Sequence, residues 1–588
     1  WPSALSLWKE ALSLAPDNDD YRIGYVKTLA DARKDRLALS EARQLVKDNP
    51  SPAHLETLSY VWMRQGKNRD RLLADMRALS AAPGNEALLR ETIDALTDNR
   101  VSTPALWLSQ NAALSPAERR RLERNAAAER VRLADVPGRT EKERLRLAQN
   151  ALDRYHALLS RWQNDPQAAE DVILARIDRL GALYAQGNYR QVISEYESLT
   201  AAQHPVPDWA IGWVISAYLQ EKNTVAAFSL VQRYPHYASD PQDEEHALFY
   251  AWLDTGQYQA ARRYVERETR SVPWTRYDFG SPAAQPNDRW LTGQSLKFNY
   301  LLATNALPEA EKLSYRLAST APGNQGLQID YAALLQARGL PRAAEQKLKR
   351  AEALEPTNLE LEKQQAYVAM DLQEWRQMDL LANNVIARAP ADRSARRLDR
   401  LRMVHHMSEL RLKAGKGLHS DNPVSGSHDM NWDATLYGPP VADNWRLFAG
   451  TRYAQGNFDE GKGISRHLLG GVEWRPRDLT LEAELSGNHY HGKNRPGARL
   501  STTYSLSDNW QVSGNLERLS RATPLRALRN GISANRGEGG VRWYQNERRE
   551  YQFNAAISRF SDHNRRQEYT LSGKERLWQT PTLTLDLE

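Results

Sequence analysis

The sequence predicts a multidomain chain, an all-α superhelix of paired helices followed by an antiparallel membrane β-barrel. Three observations predict it. Over the first two thirds, prolines recur at a period of 33–34 residues. Near residue 405 the apolar period changes from 3.6 to 2, the step from helix to strand. No run of eighteen apolar residues occurs anywhere, so no transmembrane helix is expected, whereas a barrel strand needs only about ten alternating residues.

Composition bounds the rest. Of 588 residues 41% are hydrophobic and 26% charged, enough apolar material for packed cores. The 79 basic and 73 acidic residues leave a net charge of +6, a spread excess that does not mark a nucleic-acid binder. Cysteine is absent, which excludes disulfides, thiolate metal sites and thiol nucleophiles. The 17 Trp and 25 Tyr against 8 Phe favour surfaces with one wet and one apolar side. The chain opens at Trp1 inside a helical pattern with no signal peptide in view, as a mature or trimmed form would.

The proline period runs Pro16, Pro50, Pro83 and again Pro322, Pro356, Pro390. Asp17-Asn18, Gly84-Asn85, Gly323-Asn324 and Thr357-Asn358 follow four of them, so each proline stops one helix and the next polar residue caps another. Gly187, Gly256 and Gly339 fall at the turn within a pair, and Tyr189, Val192, Tyr196, Tyr258, Ala261, Ala344, Ala366 and Trp375 at packing positions. This pattern is similar to the tetratricopeptide (TPR) repeat. Nine or ten pairs are expected over residues 1–400, less regular around 86–170, with a loop insertion around 271–288. Ser115-Pro116-Ala117-Glu118 reads as a capping box. Stacked pairs make a concave groove suited to protein partners or extended ligands.

From 405 to 588 the alternation predicts about eleven strands. Leu479, Leu481, Ala483 and Leu485 share one face, and Thr480, Glu482, Glu484 and Ser486 the other. Residues 431–437, 510–517, 551–558 and 581–588 alternate likewise. Turn signals stand at 438–440, 475–478, 507–509 and 545–547, with longer connections at His419–His428 and Ser520–Ile532. Trp432, Trp474, Trp510 and Trp543 on the apolar face suit an interfacial aromatic girdle. An odd strand number and a last residue, Glu588, that is not aromatic lead to the expectation that further strands follow in the native barrel. A soluble β-sandwich with its apolar faces inward is the competing reading.

No catalytic, cofactor or metal constellation is present. His405-His406 and His489-Tyr490-His491 read as structural, and Gly537-Glu-Gly-Gly540 lacks the following helix of a phosphate loop.

Helical repeats running into a barrel resemble the PgaA family of poly-β-1,6-N-acetylglucosamine exporters. Leu359–Ala366, Leu372–Trp375, Ser420–His428, Asn444–Gly450, Arg477–Ala483 and Thr523–Arg529 carry the resemblance. It implies a non-enzymatic channel in the Gram-negative outer membrane, with periplasmic repeats that recruit a polysaccharide deacetylase and guide the polymer to the pore. Partial deacetylation makes the polymer cationic. The polar strand faces carry Asp433, Glu473, Glu482, Glu484, Glu517, Asp586 and Glu588, with Arg446, Arg475 and Arg542 among them. Those carboxylates would favour a cationic chain, and Tyr437 and Tyr544 would stack on sugar rings. A cellulose-type exporter and a soluble periplasmic scaffold are the alternatives.

Overall fold

The computed structural model describes residues 1–588 except 135, 137–139, 240–245 and 419–422. Part of the predicted long connection His419–His428, with the start of the Ser420–His428 stretch, therefore lies outside the described residues. Among the described residues, twenty-two α-helices run from Pro2 to His405, and an eleven-stranded antiparallel sheet follows.

The caps form as the sequence dictates. Asn18, Asn85, Asn324 and Asn358 each accept a backbone N–H in the first turn of the helix that follows, and Asp392 does the same for Arg393–His405. Each such cap stabilises its helix by about 1 kcal/mol. Gly187, Gly256 and Gly339 close the turns between helices with φ of 80°, 75° and 76°, the left-handed region where a Cβ is costly. Ser115 and Glu118 make the reciprocal capping box, with Ser115 N–H donating to Glu118 at 2.7 Å.

The chain forms two compact units, Trp1–Ala251 and Trp252–Glu588. Where the proline period lapses, the first unit carries helices of 19 and 22 residues, Pro116–Ala134 and Glu141–Trp162. They pack around buried Tyr155, Leu158 and Trp162. The second unit contains both the last helical pairs and the whole sheet, so the change from helix to strand lies inside it. Its helical core places Leu334, Leu348 and Leu361 against the fully buried Ala332, Ala344 and Ala351. A small hairpin, Thr275–Tyr277 with Ala284–Pro286, occupies the predicted insertion.

The strands are β1 Glu409–Lys416, β2 Ser427–Tyr437, β3 Trp445–Phe458, β4 Gly461–Trp474, β5 Leu479–Tyr490, β6 Lys493–Ser505, β7 Trp510–Arg518, β8 Ala534–Asn546, β9 Arg549–Phe560, β10 Arg565–Gln579 and β11 Thr584–Leu587. Each pairs with its sequence neighbours, a pure meander with β1 and β11 at the edges.

The sheet is inside-out relative to a soluble protein. Leu468, Leu485 and Leu571 are 72%, 73% and 76% exposed, whereas Arg446, Glu473 and Glu484 are 5%, 3% and 5% exposed. A sandwich would bury the leucines and expose the charges. Apolar side chains outward and polar ones inward define a membrane barrel wall. Trp445 stacks on Trp474 at 5.6 Å, and Trp510 pairs in register with Trp543, which places an aromatic band along one end of the strands. At the opposite end the two long connections are those expected, between β1 and β2 and between β7 and β8, while Asp459-Glu460 and His491-Gly492 are two-residue turns. The latter has φ of 49° and 67°, the primed geometry that suits the strand twist.

Candidate functional site

The inward face of the wall is a lattice of carboxylates and guanidiniums, set by register. Arg446 and Glu473 are opposite residues on β3 and β4, and the Arg446 guanidinium donates to Glu473 at 2.8 Å and to Glu409 at 2.9 Å. Arg475 reaches the same carboxylate at 2.8 Å. On β5 and β6, Glu484 faces Arg499, which donates to it at 3.1 Å and to Glu482 at 2.6 Å. Arg521 closes onto Glu484 from a loop. Asp433 accepts from Arg452 at 2.8 Å, and Asp586 from Arg576 at 2.8 Å. Glu517 accepts from Ser520, from Asn515 and from the Arg521 backbone N–H.

Asp433, Glu473, Glu482, Glu484, Glu517 and Asp586 thus lie on the inward face, each with a donor partner, whereas Glu588 is exposed beyond the last strand. The wall is of alternating charge rather than a free acidic surface. Arg452, Arg499 and Arg536 complete it; they lie on the same polar parity as the acids, so alternation could have found them. Arg521 sits on a loop and had no periodic signal.

Neither predicted tyrosine stands open to a sugar ring. Tyr437 is buried, donates to Glu482 at 3.0 Å, and has the guanidiniums of Arg411 and Arg446 over its ring at 4.5 and 4.4 Å. Tyr544 donates to the Arg338 carbonyl at 2.7 Å and carries Arg542 over its ring at 4.8 Å.

The loop between β7 and β8 folds inward and holds the short helix Leu525–Arg529 against β3 and β4. Arg526 donates to Glu460 at 2.9 Å, and Arg529 donates to the Glu460 carbonyl at 3.0 Å. His491 binds the Arg529 carbonyl through Nδ1 at 2.9 Å, a structural role. Thr523–Arg529, singled out in the sequence, forms this element.

At the opposite end, three successive strand turns seat the last repeats. Asp508 accepts from the backbone N–H groups of Arg342 and Ala343, both at 3.0 Å, and so caps the helix Pro341–Leu354 from the barrel side. Arg342 donates to the Leu506 carbonyl at 2.5 Å and pairs with Asp478 at 2.8 Å. Arg477 binds Glu345 and Glu374. That hydrogen-bonded pairing holds the Glu345 carboxyl below its ordinary range and raises the Arg477 guanidinium. Arg338 donates to Glu547 at 2.9 Å. Trp375 donates to the Arg475 carbonyl at 3.0 Å and stacks on His405 at 4.1 Å. Burial and nearby Arg475 push that imidazole down to about 4, so it is neutral at physiological pH. No group of side chains with metal-ligand geometry occurs among the described residues.

A membrane barrel wall with a charged interior and helical repeats seated on one rim defines this chain as an outer-membrane barrel protein of transport type. The profile of the PgaA membrane β-barrel domain matches residues 404–588. Poly-beta-1,6-N-acetyl-D-glucosamine export proteins of Escherichia coli strain K12 and of O157:H7 are each 41% identical over 591 residues, covering 100% of this chain and 72% of theirs. The chain belongs to the PgaA export-protein family. A solved structure described as a bacterial polysaccharide outer membrane secretin is 46% identical, covering 31% of this chain and 61% of that one, with a TM-score of 0.29. A tetratricopeptide repeat protein from Parabacteroides merdae is 12% identical, covering 62% and 98%, with a TM-score of 0.27.

Proposed function

We propose that this protein exports poly-β-1,6-N-acetylglucosamine, partly de-N-acetylated, across the Gram-negative outer membrane. The observation that carries the reading is the inside-out wall, whose inward face is built of paired charges, in a chain 41% identical to export proteins for that polymer. Asp433, Glu473, Glu482, Glu484, Glu517 and Asp586, with their donor partners, form the path; Tyr437 and Tyr544 brace it. Paired guanidinium and carboxylate groups offer donors and acceptors to hydroxyl, acetamido and ammonium groups alike. Each contact is weakened by its existing partner, which suits passage, since tight sites would stall a polymer.

The repeats stand in the periplasm. Supporting this, they seat on the rim opposite the two long connections, β1 to β2 and β7 to β8, and long loops face outward in bacterial barrels. Their groove recruits the deacetylase and delivers the polymer, as stacked helical pairs commonly bind partners. Deletion of the gene followed by assay of surface and periplasmic polymer tests the reading. Polymer retained in the periplasm supports it; unchanged surface polymer overturns it.

A further inference from the structure

On the outward face, at the end of the wall away from the repeats, three arginines and an asparagine form one row across four strands. Asn535 on β8 pairs with Arg559 on β9, which pairs with Arg565 on β10. Arg518 on β7 lies one residue beyond the Glu517–Arg536 pair, beside Asn535. All three guanidiniums are on exposed residues. Among the described residues none of the three is ion-paired, whereas inward Arg446, Arg452, Arg499 and Arg536 all are. Like charges on neighbouring strands repel unless an anion lies between them. Directly below the row, an apolar groove of about 1050 Å³ runs down the lipid-facing wall, with Ala498 and Gly537 in it and Leu485, Leu500, Leu516 and Ile557 around them. Arg518, Asn535 and Arg559 line the same groove at its end.

We infer that this groove binds one phosphorylated, multiply acylated lipid of the outer leaflet, with phosphate on Arg518, Arg559 and Arg565 and acyl chains along the leucines. Charge complementarity and continuity of the basic row with the apolar groove both point to a single amphiphile. A neutral lipid would leave the arginines uncompensated, and a free anion would leave the groove unfilled. Arginines at strand ends cost little in the interfacial zone, so they persist there at small expense. The placement of this end in the outer leaflet rests on the periplasmic position of the repeats proposed above.

The test uses the whole protein in mild detergent, with native mass spectrometry after exchange against bis-phosphorylated lipid A, its dephosphorylated form, phosphatidylglycerol or inorganic phosphate. The expected result is at least tenfold better retention of bis-phosphorylated lipid A than of the other three. That preference is lost in R518Q/R559Q/R565Q and reduced in Gly537→Leu. Equal retention by the triple variant, equal retention of the dephosphorylated form or of phosphatidylglycerol, or displacement by phosphate alone overturns the inference. Heat-modifiable migration of each variant reports an intact barrel. Surface polymer in the same strains reads export separately, so failure of lipid binding and failure of the export reading are distinguishable.

Discussion

Arg477, on the turn between two membrane strands, grips Glu345 of a repeat helix with both terminal guanidinium nitrogens, at 3.0 and 2.7 Å. This fork geometry is one of two among the described residues that fix the repeats to the barrel rim, the other being Arg338 on Glu547. A double-mutant cycle with Arg477→Ala and Glu345→Gln is expected to give a coupling of about 1 kcal/mol, since both side chains are partly exposed. The folded Glu345 carboxyl is held below its unfolded value. Its contribution is therefore full above the unfolded carboxylate range and lost as pH falls through the lower folded value. The coupling persists at neutral pH and fades under acid.

Asp508 caps a repeat helix from a strand turn. Asp508→Ala removes that cap and is expected to cost about 1 kcal/mol. Hydrogen exchange over residues 341–354 should rise, while exchange in Gln325–Ala337 changes less.

Asp330, on the helix Gln325–Ala337, is pushed up to about 6 by burial and by Glu360. Its folded form holds the proton more tightly than its unfolded form, so stability falls as pH rises from about 4 to 6. Asp330→Asn is expected to stabilise this helix at neutral pH by about 2 kcal/mol, read as slower amide exchange, with no gain below the ordinary aspartate range.

Gly471 and Gly487 separate packing from exposure on adjacent strands. A Cβ on inward Gly471 would collide with the Phe448 ring and the Ala483 carbonyl, whereas one on outward Gly487 meets open space. Gly471→Ala is expected to cost about 1–3 kcal/mol and lower the yield of heat-modifiable barrel. Gly487→Ala should be silent in the same gel assay.

Much of this was legible in the chain. The 34-residue period carried the helical pairs because each proline and its following Asn act locally. Alternation carried the wall and placed Glu473, Glu482 and Glu484 inward, because strand parity is a local property. Parity also placed Arg446, Arg475 and Arg542 among the acids; what it did not give was the pairing, because only register sets Arg446 opposite Glu473 and Arg499 opposite Glu484. The rim was not legible, since Trp375 and Arg475 stand 100 positions apart and Arg338 and Glu547 stand 209 apart. No local pattern encodes such pairings. The inward fold of Ser520–Ile532 is not encoded locally for the same reason.

The central claim is that polymer enters this pore from the end that bears the repeats. Single-channel recording of the native protein in a planar bilayer tests it, with partly deacetylated β-1,6-linked glucosamine oligomers added to one side at a time. Brief current blockades are predicted when the oligomers meet the repeat side, becoming rarer in Glu484→Gln/Glu482→Gln. Current unaffected by oligomers on the repeat side would contradict the account.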